Sequence, residues 1–130
     1  MRSLLVCFSC VAVCVVCGGC YRQPYQTPER MSTGLVVVLP GIEGRSPLNE
    51  GVVQGLVDGG VPYGIDLERW TSILGPLYNL RAELHNRRKA TQIAVHVAEY
   101  KYAHPDKPVL LVGQSGGGAM ALWIAEAMPE

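Results

Sequence analysis

The chain has 130 residues, 11 basic and 11 acidic side chains, and 48% apolar residues. That size and balance fit one compact globular unit and exclude a disordered chain or a nucleic-acid-binding one. The one basic cluster, Arg87-Arg88-Lys89, opens a helical pattern and reads as a solvated face.

Residues 1–20 read as an export signal. Arg2 precedes an apolar core that runs to Val16, too short to span a bilayer comfortably, and small Gly18-Gly19 stand just before Cys20. The segment resembles the bacterial lipoprotein signal, although Cys17 stands where that signal ordinarily carries leucine. The resemblance implies cleavage before Cys20, lipid on that cysteine and a membrane-anchored protein of the cell envelope. Secretion without lipid and an uncleaved anchor are the alternatives. All five cysteines (Cys7, Cys10, Cys14, Cys17, Cys20) lie here. An apolar run without a polar second shell argues for small apolar filler and against metal or iron–sulfur ligation. With the peptide removed, the exported domain holds no internal thiol pair and cannot rest on disulfides.

Residues 21–33, polar and interrupted by Pro24 and Pro28, read as a tether. From residue 34 the pattern becomes that of a folded domain. Leu35-Val36-Val37-Val38-Leu39 is an unbroken apolar run, the mark of a strand buried on both faces of a parallel sheet, and Pro40-Gly41 ends it. Ser46 as N-cap and Pro47 as first helical residue open a helix through Val52-Val53 and Leu56-Val57, which Gly59-Gly60 stop. A short strand is expected at residues 61–65, followed by Asp66. Residues 71–86 show no clear period and read as a loop. Ile93, Val97 and Tyr100, with alanines between them, predict an amphipathic helix from about Arg88 to Tyr102, ended by His104-Pro105-Asp106. A third strand at residues 109–112 and an almost wholly apolar helix over residues 119–128 complete the order. Strand–helix alternation of this kind predicts an α/β fold of three αβα layers around a parallel sheet.

The most informative motif is Gly113-Gln114-Ser115-Gly116-Gly117, between the third strand and the last helix. It reads as a nucleophile elbow, a turn so tight that the serine backbone is strained and its hydroxyl stands clear of the sheet. Side chains two residues before or after the serine would collide in such a turn, which explains Gly113 and Gly117. The N–H of Gly116 is then free to face a developing oxyanion.

Over most of the stretch from Leu35 onward the chain resembles the α/β-hydrolases, in their esterase- and lipase-like members. Leu39-Pro40-Gly41-Ile42 is similar to the oxyanion loop after that family's third strand, Asp66 follows what would be the fourth, and residues 113–117 occupy the elbow after the fifth. The resemblance implies Ser115 as nucleophile on an acyl carbonyl, the Gly116 N–H as one oxyanion donor, and the N–H of Ile42 or Gly41 as the second. It implies Leu35–Leu39 as the central strand. Substrates would be small acyl esters or lipids, with no cofactor and no nucleic-acid partner.

A serine hydroxyl needs a base, and in this family the order is serine, acid, histidine. His85, His96 and His104 all precede Ser115, and the sequence stops at Glu130. The expectation is therefore an exported serine hydrolase represented without its acid and base; a non-catalytic lipoprotein, or a remnant keeping half the sheet, is the rival. Gly116-x-Gly118-x-x-Ala121 loosely resembles a dinucleotide fingerprint, but its first glycine does not follow the strand at once, and no lysine follows the glycines as a P-loop requires.

Overall fold

The structure, a computed structural model, describes residues 24–129. The segment expected to be an export signal, its five cysteines and the expected lipidation site Cys20 lie outside the described residues. Three strands form one sheet: β1 (Leu35–Leu39), β2 (Gly64–Leu67) and β3 (Val109–Gly113), in the order β2-β1-β3 and parallel throughout. All five residues of β1 are buried, as a strand covered on both faces requires.

Five helices connect and cover the strands: α1 (Pro28–Met31), α2 (Pro47–Asp58), α3 (Pro76–Arg81), α4 (Glu83–Ala103) and α5 (Gly116–Ala127). Alternate side chains of β1 feed two cores. Leu35, Val37 and Leu39 pack with Ala90, Ile93, Ala94 and Val97 of α4 and with Met120 and Ile124 of α5. Val36 and Val38 pack with Val53 of α2 and with Ile65 and Leu67 of β2. Helices thus lie on both faces of a small open α/β sheet. Among the described residues no helix is long and apolar enough to cross a membrane.

The α2 boundaries match the sequence reading. Ser46 is its N-cap and Pro47 its first residue; the Asn49 amide reaches back to accept from the Ser46 N–H at 2.9 Å and donates to the Gly44 carbonyl at 3.1 Å.

Three local expectations are corrected. The second strand lies at Gly64–Leu67 rather than residues 61–65, because Pro62 has no N–H to give a ladder and the carbonyls of Val61 and Tyr63 accept from the Arg30 guanidinium at 2.6 and 2.9 Å. Asp66 consequently sits inside β2, opposite Val37, and not beyond the strand's end. The expected loop over residues 71–86 holds α3 and the first turn of α4. Two asparagines fix it: the Asn79 carbonyl accepts from the buried Asn86 amide at 2.7 Å, a bond that no apolar period reveals.

Residues 24–33 are docked over their whole described length rather than standing off as a tether. The Ile65 N–H donates to the Tyr25 carbonyl at 3.1 Å, Tyr25 packs on the α2-side core, and the Tyr100 hydroxyl donates to the Met31 carbonyl at 2.8 Å.

Candidate functional site

The strand order fixes where a crevice can form. From central β1 the chain crosses to β2 on one side, then returns past β1 to β3 on the other. The helices that follow β1 and β3, α2 and α5, lie on opposite faces, so the loops after these two strands diverge at their carboxyl ends. One of those loops carries Gly41 and Ile42. The other carries Ser115.

Ser115 is exposed and has φ 53° and ψ −120°, the one non-glycine residue of positive φ among the described residues. A residue held there costs on the order of 1–3 kcal/mol, which the surrounding packing must outweigh. The Ser115 side chain makes no capping bond to α5. Its hydroxyl is therefore not spent on the helix that it begins.

Close approach of three backbones imposes this conformation. A Cβ on Gly113 would fall about 2.5 Å from the Gly117 carbonyl carbon and the Gly118 nitrogen. One on Gly117 would collide with the carbonyl oxygen of Leu39 and come within 2.7 Å of that of Pro40. Gly113 is needed inside the turn, as the sequence implies, whereas Gly117 is needed because α5 starts against the end of β1. The Gln114 N–H donates to the Leu39 carbonyl at 3.0 Å and closes the same junction.

The expected oxyanion donors separate into one that is taken and two that are not. The Gly41 N–H donates to Gln114 Oε1 at 3.1 Å, so Gly41 ties the two loops together. Among the described residues, neither the Ile42 nor the Gly116 N–H has a protein acceptor. They are neighbours: a Cβ on Gly116 would lie 3.5 Å from the Ile42 nitrogen and 2.8 Å from Ile42 Cγ2. Two unpartnered N–H groups beside an exposed serine can hold an anionic oxygen formed by addition to a carbonyl.

A hydrogen-bond frame positions the Ile42 loop. The Trp70 indole, buried behind it, donates to the Pro40 carbonyl at 2.8 Å. Asn79 donates to the Ile42 carbonyl at 2.9 Å and accepts from the Ser72 N–H at 2.8 Å. Sequence reasoning missed both residues. A tryptophan and an asparagine in a stretch of no period were the signals available.

The histidines are engaged elsewhere. His96 Nδ1 lies 4.0 Å from Glu68 Oε1. The His104 ring stacks on Tyr100 with centroids 4.7 Å apart. The His85 ring meets Tyr78 edge-on at 5.8 Å, and its buried Nε2 has no hydrogen-bond partner. Asp66 and Glu68 line a cavity with His96, Gln26 and Tyr100 on the α4 side of β2. Burial raises both carboxyls above their ordinary range, against a lowering by Gln26 and His96 at Asp66 and by Arg69, His96 and Lys89 at Glu68; the Asp66 charge pushes Glu68 further up. Among the described residues no cluster of three or more His, Cys, Asp or Glu could hold a metal. The chain matches no protein-family model, no curated protein and no solved structure.

Proposed function

We propose that this chain carries the nucleophile and oxyanion-binding half of an α/β-hydrolase-type serine hydrolase site, acting on carboxylic esters or related acyl substrates, in an exported protein held to a membrane by lipid at Cys20. The observation that carries the reading is the backbone of Ser115, strained at φ 53° between β3 and α5 with its hydroxyl exposed beside two free N–H groups. Strain of this kind lowers stability, and it recurs where a side chain must be presented to a reactant. The order β2-β1-β3, with a loop after the central strand facing the elbow, supports the same reading, since it is the order that the resemblance implies for that family's fourth, third and fifth strands.

In this mechanism the Ser115 oxygen adds to the acyl carbonyl, and the Gly116 and Ile42 N–H groups hold the resulting oxyanion. The proton of Ser115 needs an acceptor, and His85, His96 and His104 are turned to other partners. Loss of the base typically costs several orders of magnitude in rate. The 130-residue chain should therefore label with a fluorophosphonate probe slowly and only through Ser115, and hydrolyse a short-chain aryl ester near the buffer rate. Labelling that persists in Ser115→Ala rejects the nucleophile; brisk hydrolysis that Ser115→Ala abolishes shows instead that one of the three histidines reaches Ser115.

A further inference from the structure

The carboxyl edge of the sheet also bears the largest group of exposed apolar side chains. Ile73 is 102% exposed, and Leu77, Leu80 and Leu84 are 60–70% exposed. They belong to the segment from β2 to the first turn of α4, and Asn79 ties that segment to the Ile42 loop. Arg81 and Arg88 lie among them: Arg81 shares one concave surface with Leu77 and Tyr78, and both arginines share the next with Leu84. Neither arginine makes an ion pair among the described residues, and Glu83 beside them is neutralised by Arg87 at 2.8 Å. Solvated leucines fringed by uncommitted arginines fit the boundary of an anionic bilayer, where apolar groups enter the acyl region and cations meet headgroups.

The direction in which the chain enters the fold points to the same occupant. The Tyr25 carbonyl accepts from the Ile65 N–H, the Gln26 side chain bonds Asp66, and Pro24 lines a cavity with Leu67 and Arg45, so the chain enters along the outer side of β2 with Pro24 near the strand's carboxyl end. Four peptide units separate Pro24 from Cys20, at most about 14 Å of chain. A lipid on Cys20 therefore keeps the end of the sheet beside Pro24 within about that distance of the membrane.

We infer that the surface formed by Ile73, Leu77, Leu80 and Leu84 with Arg81 and Arg88 docks on an anionic lipid bilayer, so that the Ser115 edge faces the membrane. The inference rests on the proposed anchoring at Cys20 and on the placement of the site, and it gives that site substrates drawn from the lipid phase.

The test is hydrogen exchange of the full chain with vesicles of phosphatidylcholine and phosphatidylglycerol, compared with phosphatidylcholine alone. Amides of residues 73–84 should exchange at least tenfold more slowly on the anionic vesicles. That local protection should disappear in Leu77→Ser/Leu84→Ser and weaken about tenfold in Arg81→Glu/Arg88→Glu, while the chain still sediments with the vesicles. Unchanged exchange at residues 73–84 on vesicles that retain the chain overturns the inference, as does protection that grows with protein concentration without vesicles, which marks a second copy as the occupant. Fluorophosphonate labelling of Ser115 is read separately: its absence alongside lipid protection rejects the hydrolase reading alone.

Discussion

Ser115 concentrates the conflict between stability and presentation in this molecule. Its φ of 53° is one that a side chain rarely adopts, and no bond from its hydroxyl to the helix compensates. Replacing it with glycine removes the Cβ that makes the conformation costly, so Ser115→Gly should be more stable than the parent by about 1 kcal/mol, whereas Ser115→Ala, which keeps the Cβ, should be nearly neutral. Urea unfolding of the three chains measures this. A glycine variant less stable than the parent would mean that the serine is held by contacts and not against strain. Gly117 works in the opposite sense. Gly117→Ala drives a methyl into the Leu39 and Pro40 carbonyls and should lose at least about 3 kcal/mol, or fail to fold, because the obstacles are backbone atoms of the central strand.

Between elements, Asp66 of β2 and Glu68 just after it, which share a cavity with His96 of α4, set a pH dependence. Burial raises Asp66 and Glu68, so the folded state binds protons more tightly than the unfolded one at both sites. The sign follows from linkage: with folded values above unfolded ones, stability is greatest below the ordinary carboxylate range and is lost as pH rises through it to the raised values. His96 on α4 acts against the rise at both carboxyls and Lys89 at Glu68, which reduces the loss. Asp66→Asn/Glu68→Gln should therefore be more stable than the parent at neutral pH and flatten the dependence through the acid range; a parent whose thermal midpoint climbs steadily across that range has the opposite linkage.

The same elements show what was legible in the sequence. β1 was, because five consecutive apolar residues have few other uses, and so were the start of α2 at Ser46-Pro47 and the turn at residues 113–117. α3 and the start of α4 were not. Their order depends on Asn79 and Asn86, whose partners lie 37 and 7 residues away, and their apolar residues face solvent, which erases the period a reader seeks. β2 was displaced because Val61 and Ile65 look alike locally, and Arg30, docked from a segment that reads as a tether, joins Pro62 in removing Val61 from the ladder. At the candidate site, the tight turn at Ser115 was legible from residues 113–117 together with the strand before them and the helix after them. That Gly41 is consumed by Gln114 and Ile42 is not was visible only in three dimensions.

The sheet as a whole is asymmetric. Central β1 is buried throughout, but β3 pairs only with β1 among the described residues, and its five positions are half-buried or exposed. Because the Leu35 N–H bonds the Pro108 carbonyl, the parallel register turns the N–H and C=O groups of Val109, Leu111 and Gly113 away from β1. α2 packs on β1 and β2 but leaves the Leu110 side of β3 open, at 46% exposure, and Leu122 of α5 stands 68% exposed. No charge or proline interrupts Val109–Gly113, so the open edge lacks the usual protection against pairing with another strand. The 130-residue chain should accordingly aggregate with rising concentration, and Leu110→Lys should raise the concentration at which light scattering begins while costing no more than about 1 kcal/mol in the monomer. The docking surface predicts a different response: Leu77→Ser/Leu84→Ser should leave scattering without vesicles close to that of the parent, since those leucines lie away from the edge. Cooperative, reversible thermal unfolding of a parent that stays monomeric would show that β3 is protected in a way its unpaired groups do not provide.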